Sequence, residues 1–149
     1  MREILFRGKS VYNGEWYEGS LRIVTYQPAD DAPFQQYEIE ETTCGVFPNE
    51  FMSGYCETVD PATVGQYTGL TDKNGKKIFE GDIVRHFNDC PSSEIEEKGA
   101  VFYDEEYCGW RRTSNGAFHH GIADTYRLSP TCCYEVIGNI HGDLELLEG

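Results

Sequence analysis

The tetrapeptide Lys73-Asn74-Gly75-Lys76 constrains the fold more than any other stretch of this chain. Asn-Gly flanked by extended sequence is the strongest short hairpin signal. Here it lies between Gln66-Tyr67-Thr68-Gly69-Leu70 and Ile78-Phe79, which read as the two arms. Glu80-Gly81 turns the chain again, and Asp82 to Phe87 reads as a strand with Ile83 and Val84 as core candidates. Asn13-Gly14 and Asn115-Gly116 mark further turns.

The rest of the chain follows the same rhythm. Arg2 to Arg7 reads as a strand ended by Gly8, and Ser20 to Tyr26 alternates in period two as a half-buried strand does. Gln27 to Pro33 is a loop, Gln36 to Glu41 a short exposed strand, and Gly54 to Thr58 another strand. Thr42 to Ser53 and Ala117 to Leu128 carry no clear period. Asp60 is placed to cap a 3₁₀ turn over Pro61-Ala62-Thr63-Val64. Lys98 to Tyr103, Tyr107 to Thr113 and Tyr134 to Ile140 read as strands, separated by a charged loop at Asn88 to Glu97 and a turn at Asp104-Glu105-Glu106. Asp143 to Leu147 is expected to end in one helical turn. No 3.6-residue period lasts long enough for a long helix. Ten Tyr, eight Phe and 16 Gly fit strands joined by tight turns. The expected fold is mainly β: an SH3-like barrel at 61–149, with a smaller N-terminal β-containing (α+β) part at 1–60.

The stretch from Val59-Asp60-Pro61-Ala62-Thr63-Val64-Gly65-Gln66-Tyr67-Thr68-Gly69-Leu70 through Asp72-Lys73-Asn74-Gly75-Lys76-Lys77-Ile78-Phe79-Glu80-Gly81-Asp82-Ile83-Val84 resembles the signature of YopX-type proteins. Phe6-Arg7-Gly8-Lys9, Asn13-Gly14-Glu15-Trp16 and Tyr134-Glu135-Val136-Ile137-Gly138-Asn139-Ile140 extend the resemblance over nearly the whole chain. It implies a bacteriophage or prophage origin and the C-terminal SH3-like barrel with its smaller N-terminal part. It implies no activity, since that family has no established one. The chain departs from the pattern in its acidic middle, Asp30 to Thr58, and in its six cysteines.

Net charge is -14, spread through both halves rather than held in a tail. A phosphate backbone is repelled by such a molecule, which argues against direct nucleic-acid binding. The charge serves solubility first; the sharper reading is a face for a basic partner, or an acidic decoy for DNA-binding proteins. No run of 18 apolar residues exists to span a membrane, and Met1 to Arg7 does not read as a signal peptide. The bacterial host cytoplasm is the expected location, and most of the cysteines are expected as small buried hydrophobes.

The candidates for chemistry are sparse. His119-His120 and Cys132-Cys133, with His86, Cys90, Cys108 and His141, are zinc-ligand types without a known ligand spacing. Adjacent strand residues point to opposite faces, so each pair offers one ligand to a common site. The acids at Glu94, Glu96, Glu97 and at Asp104-Glu105-Glu106 fall in turns, where solvation is the ordinary role. Neither phosphate-binding glycine motif is present. We therefore expect no catalytic residue, no metal and no cofactor; a metal- or Cys/His-dependent hydrolase stands as the remote alternative. Tyr107, Trp110, Arg111 and Arg112, with Lys76 and Lys77, make one candidate interaction patch. The expected function is non-enzymatic binding of a protein partner, a second copy of the chain included.

Overall fold

The computed structural model describes residues 3–41, 55–87, 97–114, 125–130 and 133–148. Thr42 to Ser53, the histidine pair at 119 and 120, Cys132 and the Asn115-Gly116 turn lie outside the described residues. The described chain is mainly β, in two antiparallel sheets that do not close, and it divides into two compact units, Met1–Gln66 and Tyr67–Gly149.

The first unit holds β1 (Phe6–Lys9), β2 (Trp16–Tyr26), β3 (Phe34–Glu40), β4 (Cys56–Val59) and the opening residues of β5 (Gly65–Thr71). Their order is β4-β3-β2-β1-β5. β2 is longer than the alternating segment alone, because Trp16 to Gly19 already pair with β1 before Ser20 to Tyr26 pair with β3. Gly8 does not end β1 but sits inside it. A Cβ there would lie 2.8 Å from the Val59 side chain, so the missing side chain lets β1 lie against that buried valine. Ile39 and Val59 are fully buried. Ile4, just ahead of β1, is exposed.

The second unit holds the rest of β5, then β6 (Lys77–Phe79), β7 (Asp82–Phe87), β8 (Glu97–Asp104), β9 (Gly109–Thr113), β10 (Thr125–Arg127) and β11 (Cys133–Asn139). β5 pairs with β6, and the other strands follow the order β10-β9-β8-β7-β11. β9 starts at Gly109 rather than at Tyr107, because Cys108 takes a positive φ of 49° and keeps Tyr107 in the turn. β10 falls in the stretch where the sequence carried no clear period. Ile78, Val84, Val101, Leu128 and Tyr134 form the core, with Leu70, Trp110 and Val136 packed against it. Ile83 is buried as well as Val84, so both core candidates are internal. The 3₁₀ turns at Pro61–Thr63 and Leu144–Leu147 are present, the first capped by Asp60. Among the described residues no helix is long and apolar enough to cross a membrane.

Candidate functional site

The long stretch from Val59 to Val84 that carries the resemblance is where a site would be sought first, and several of its polar side chains are engaged with the chain's own backbone. Asp60 Oδ1 accepts from Ala62 N at 2.9 Å, and Thr63 Oγ1 donates to Asp60 O at 2.7 Å while accepting from Lys9 N at 2.9 Å. That hydroxyl therefore ties the 3₁₀ turn to the end of β1. Thr68 Oγ1 donates to Ile78 O at 2.8 Å across the β5–β6 pair.

Asp72 organises the hairpin turn. Its Oδ1 accepts from Asn74 N at 2.8 Å and Lys76 N at 2.9 Å, and its Oδ2 accepts from Val136 N at 3.0 Å. Lys73 N donates to Tyr134 O at 2.8 Å, and Lys73 Nζ lies 3.2 Å from Glu135 Oε2. The turn is thus fastened to β11 by two backbone groups and one ion pair. Gly75, at a φ of 79°, is left-handed, but Asn74 is not, so the loop closed by Asp72 N donating to Lys76 O at 2.8 Å is not a two-residue type I′ turn. Burial pushes the Asp72 carboxyl up, but the three N–H donors and Lys76 outweigh it and hold it below the usual carboxylate range.

Asp82 does similar work one turn later. Its Oδ2 accepts from Phe79 N at 2.8 Å and its Oδ1 from Asn139 Nδ2 at 3.3 Å, with the residue fully buried. Gly81, at a φ of 85°, donates from N to Val101 O at 2.8 Å and accepts at O from Ile140 N at 2.9 Å. A buried carboxylate bonded to a backbone N–H and an amide is held as a structural acceptor rather than as a general base.

A third polar cluster lies in the first unit. Buried Glu57 accepts from Ser10 Oγ and, at 2.8 Å, from Tyr55 Oη. The Tyr55 hydroxyl is raised above its ordinary value by that hydrogen bond to Glu57 and by the carboxylate's charge. A serine beside a carboxylate suggests a nucleophile, but Ser10 Oγ already accepts from Tyr12 N at 3.1 Å and Asn13 N at 3.3 Å, and Ser10 is buried. Its lone pairs are occupied, so it pins the turn after β1.

The candidate patch is drawn apart by its own sheet. Tyr107 is exposed in the β8–β9 turn with the Arg111 guanidinium 4.6 Å from its ring centre. Arg111 also donates to Thr125 Oγ1 at 2.8 Å and Thr125 O at 2.7 Å and lies 3.6 Å from Asp104. Trp110 and Arg112 alternate with Arg111 and face the core side. Trp110 meets Tyr103 edge-on at 5.1 Å, and Arg112 is buried, with Nη2 2.6 Å from Glu97 Oε2 and 3.4 Å from His86 Nδ1. Lys76 and Lys77 belong to the β5–β6 hairpin, where Lys77 Nζ lies 5.6 Å from the Tyr67 ring. The aromatic-plus-arginine part of the patch therefore reduces to exposed Tyr107 over a half-buried Arg111. Neither Asp72 nor Asp82 was among the candidates, although Asp two residues ahead of Asn-Gly is a readable signal for a side chain that caps its own turn.

Cys56, Cys108 and Cys133 are free thiols, and none of the three is buried as expected: Cys56 and Cys133 are half-buried and Cys108 is exposed. Among the described residues no three His, Cys, Asp or Glu side chains come together in a metal-binding arrangement.

Comparison with known proteins places this geometry in a family. The model of the YopX protein family matches residues 5–148, nearly the whole chain. No curated protein matches the sequence. Among solved structures the chain is similar to the crystal structure of protein EF1440 from Enterococcus faecalis, at 19% identity over 99% of both chains with a TM-score of 0.48. The chain belongs to the YopX family.

Proposed function

We propose that this YopX-family chain is a non-enzymatic accessory protein of a bacteriophage or prophage that acts in the bacterial cytoplasm by binding another protein. The observation that carries the reading is where the signature side chains go. Asp60, Thr63, Thr68, Asp72 and Asp82 each bond the chain's own backbone, so the part of the sequence that names the family maintains the scaffold. Large aromatic side chains, Tyr103, Tyr107 and Tyr126, meanwhile stand exposed on β8 to β10. Several of the cations are matched internally, in Arg22–Glu38, Lys73–Glu135, Arg111–Asp104 and Arg112–Glu97, which leaves a surface dominated by acid. Aromatic residues in an acidic surround suit a basic protein partner and repel a phosphate backbone.

The second unit is, in this reading, an SH3-like barrel module. What supports it is the strand order β10-β9-β8-β7-β11, a meander of four with the last strand returning to the first. Affinity capture of the tagged chain from infected or lysogenic cells, followed by reconstitution from purified components, tests the proposal. A stoichiometric complex with one protein supports it. Recovery of the chain alone, or of a complex that nuclease treatment dissolves, overturns it.

A further inference from the structure

A strand edge that meets only water presents a row of unpaired N–H and C=O groups, and folded proteins rarely leave one long and unguarded. Most edges of this chain are guarded. Beside β4, Ser10 bridges to Val59 and Val11 N donates to Thr58 O at 3.1 Å. β6 has only three residues, and Phe79 N donates to Asp82 Oδ2 at 2.8 Å. β10 is equally short. Beside β11, Lys73 N donates to Tyr134 O at 2.8 Å and Val136 N to Asp72 Oδ2 at 3.0 Å. In β8, Val101 O accepts from Gly81 N at 2.8 Å.

β2 is the exception. It lies between β1 and β3, but Trp16 to Gly19 pair with β1 while Ser20 to Tyr26 pair with β3. Among the described residues, the side of Ser20 to Tyr26 that faces away from β3 therefore has no strand partner. Alternate residues direct their N–H and C=O groups to that side. The usual guards are missing there. Ser20 to Tyr26 contain no proline, their register with β3 runs without a bulge, and their one charged side chain, Arg22, is paired with buried Glu38. β3 in turn loses β4 beyond Tyr37, so Val24 to Tyr26 and Phe34 to Gln36 form a two-stranded arm. Such an arm is marginal in water by itself. It is also apolar on both faces: Ile23, 49% exposed, lies on one, and the stacked Tyr26 and Phe34 rings, 5.4 Å apart, lie on the other.

We propose that this edge is completed by the same edge of a second copy of the chain, the two β2 strands running antiparallel about a two-fold axis at Ile23. Charge selects the occupant. The chain carries a net charge of -14, yet Ser20 to Tyr26 contain no acid, so two copies meet there without setting acid against acid. The same lack of acid gives a basic strand of another protein nothing to pair with along this edge. Ile23 is the midpoint of the segment, and an axis there sets Ile23 against its own copy. Leu21 of each copy then lies opposite Thr25 of the other on that face, and Arg22 opposite Val24 on the other face. The Arg22 guanidinium keeps its own Glu38, so no free cation faces another. Assembly stops at two copies, because the edges that remain are the guarded ones.

The test is sedimentation of the full chain and of three variants over a range of concentrations. Wild type should dimerise, and more tightly as salt rises from about 0.1 M to about 0.5 M, because screening relieves the repulsion between two acidic molecules. Ile23→Lys and Ile23→Glu each set like charges opposite one another and remove an apolar contact, so each alone should dimerise about tenfold more weakly or worse. An equimolar mixture of the two should recover the dimer, which a merely misfolded variant cannot do. Leu144→Lys, at an exposed position in the C-terminal 3₁₀ turn, should dimerise like wild type. A monomeric wild type, a dimer indifferent to the Ile23 variants, a mixture that stays monomeric, or equal weakening by Leu144→Lys overturns the proposal. A monomer that captures a different protein through Ile23 gives the edge to a foreign strand; that also overturns the proposal while leaving the protein-binding reading intact.

Discussion

Asp72→Asn isolates the link that fastens the Lys73 to Lys76 turn to β11. The substitution keeps the shape and one acceptor oxygen. Asn74 N and Lys76 N both bond Oδ1, so an amide oriented to keep them turns its NH2 toward Val136 N, where Oδ2 now accepts at 3.0 Å. One charge-assisted hydrogen bond is lost, a donor faces a donor, and the two bonds that remain lose their charge. A hydrogen bond to a charged group contributes about 1.5–3 kcal/mol, so we expect a loss of about 2–3 kcal/mol at neutral pH. Urea unfolding reads it as a lower midpoint at unchanged slope.

Acid supplies an independent check. Because the carboxyl of Asp72 titrates below its ordinary value in the folded chain, its contribution is complete above the unfolded value and disappears as pH falls through the folded one. The gap between wild type and Asp72→Asn should therefore be constant above about pH 5 and narrow below about pH 4, near the ordinary aspartate value. A difference below about 0.5 kcal/mol at pH 7, the size of an ordinary surface substitution, would refute the assignment of Asp72 as the clamp.

The close backbone approaches and the buried ion pair give two more tests. Gly99→Ala places a methyl 1.9 Å from Thr113 O, and Gly19→Ala one 2.0 Å from Glu40 O, so each should lose at least about 3 kcal/mol, the upper end of ordinary overpacking. Gly109→Ala, whose Cβ meets nothing closer than 3.7 Å, is the control and should stay within about 1 kcal/mol of wild type by thermal unfolding. Glu97→Gln leaves the Arg112 guanidinium buried beside His86 and should destabilise by about 1–3 kcal/mol, whereas Arg112→Met with Glu97→Gln should recover much of that loss in a urea titration. Equal loss in the single and double variants would refute the account of Arg112 as a charge held against desolvation.

How much the sequence revealed depended on whether a signal was local. The Asn-Gly turn, the Asp60 cap and the alternating strands depend on neighbours within a few residues, and they appear where expected. Gly8, Gly19 and Gly99 resisted the same reading. A glycine in a strand marks either an end or a close approach, and the second depends on a residue well outside the local sequence: Val59 for Gly8, Glu40 for Gly19, Thr113 for Gly99. The candidate patch is divided between two faces for a related reason. Trp110, Arg111 and Arg112 look like one basic aromatic surface in sequence, but strand alternation sends the middle residue to one face and its neighbours to the other.

The same alternation explains why family membership is legible here while function is not. A side chain that bonds its own backbone at fixed spacing leaves a contiguous trace, and Asp60, Thr63, Thr68, Asp72 and Asp82 leave such a trace within 23 residues. An interaction surface leaves none, because its members are exposed residues scattered across separate strands. What the registers of the two units share is scaffold: Gly19 and Gly99 each stand where a strand changes partner, pressed against the last residue of the next strand, and such a match appears only when one register is laid over the other.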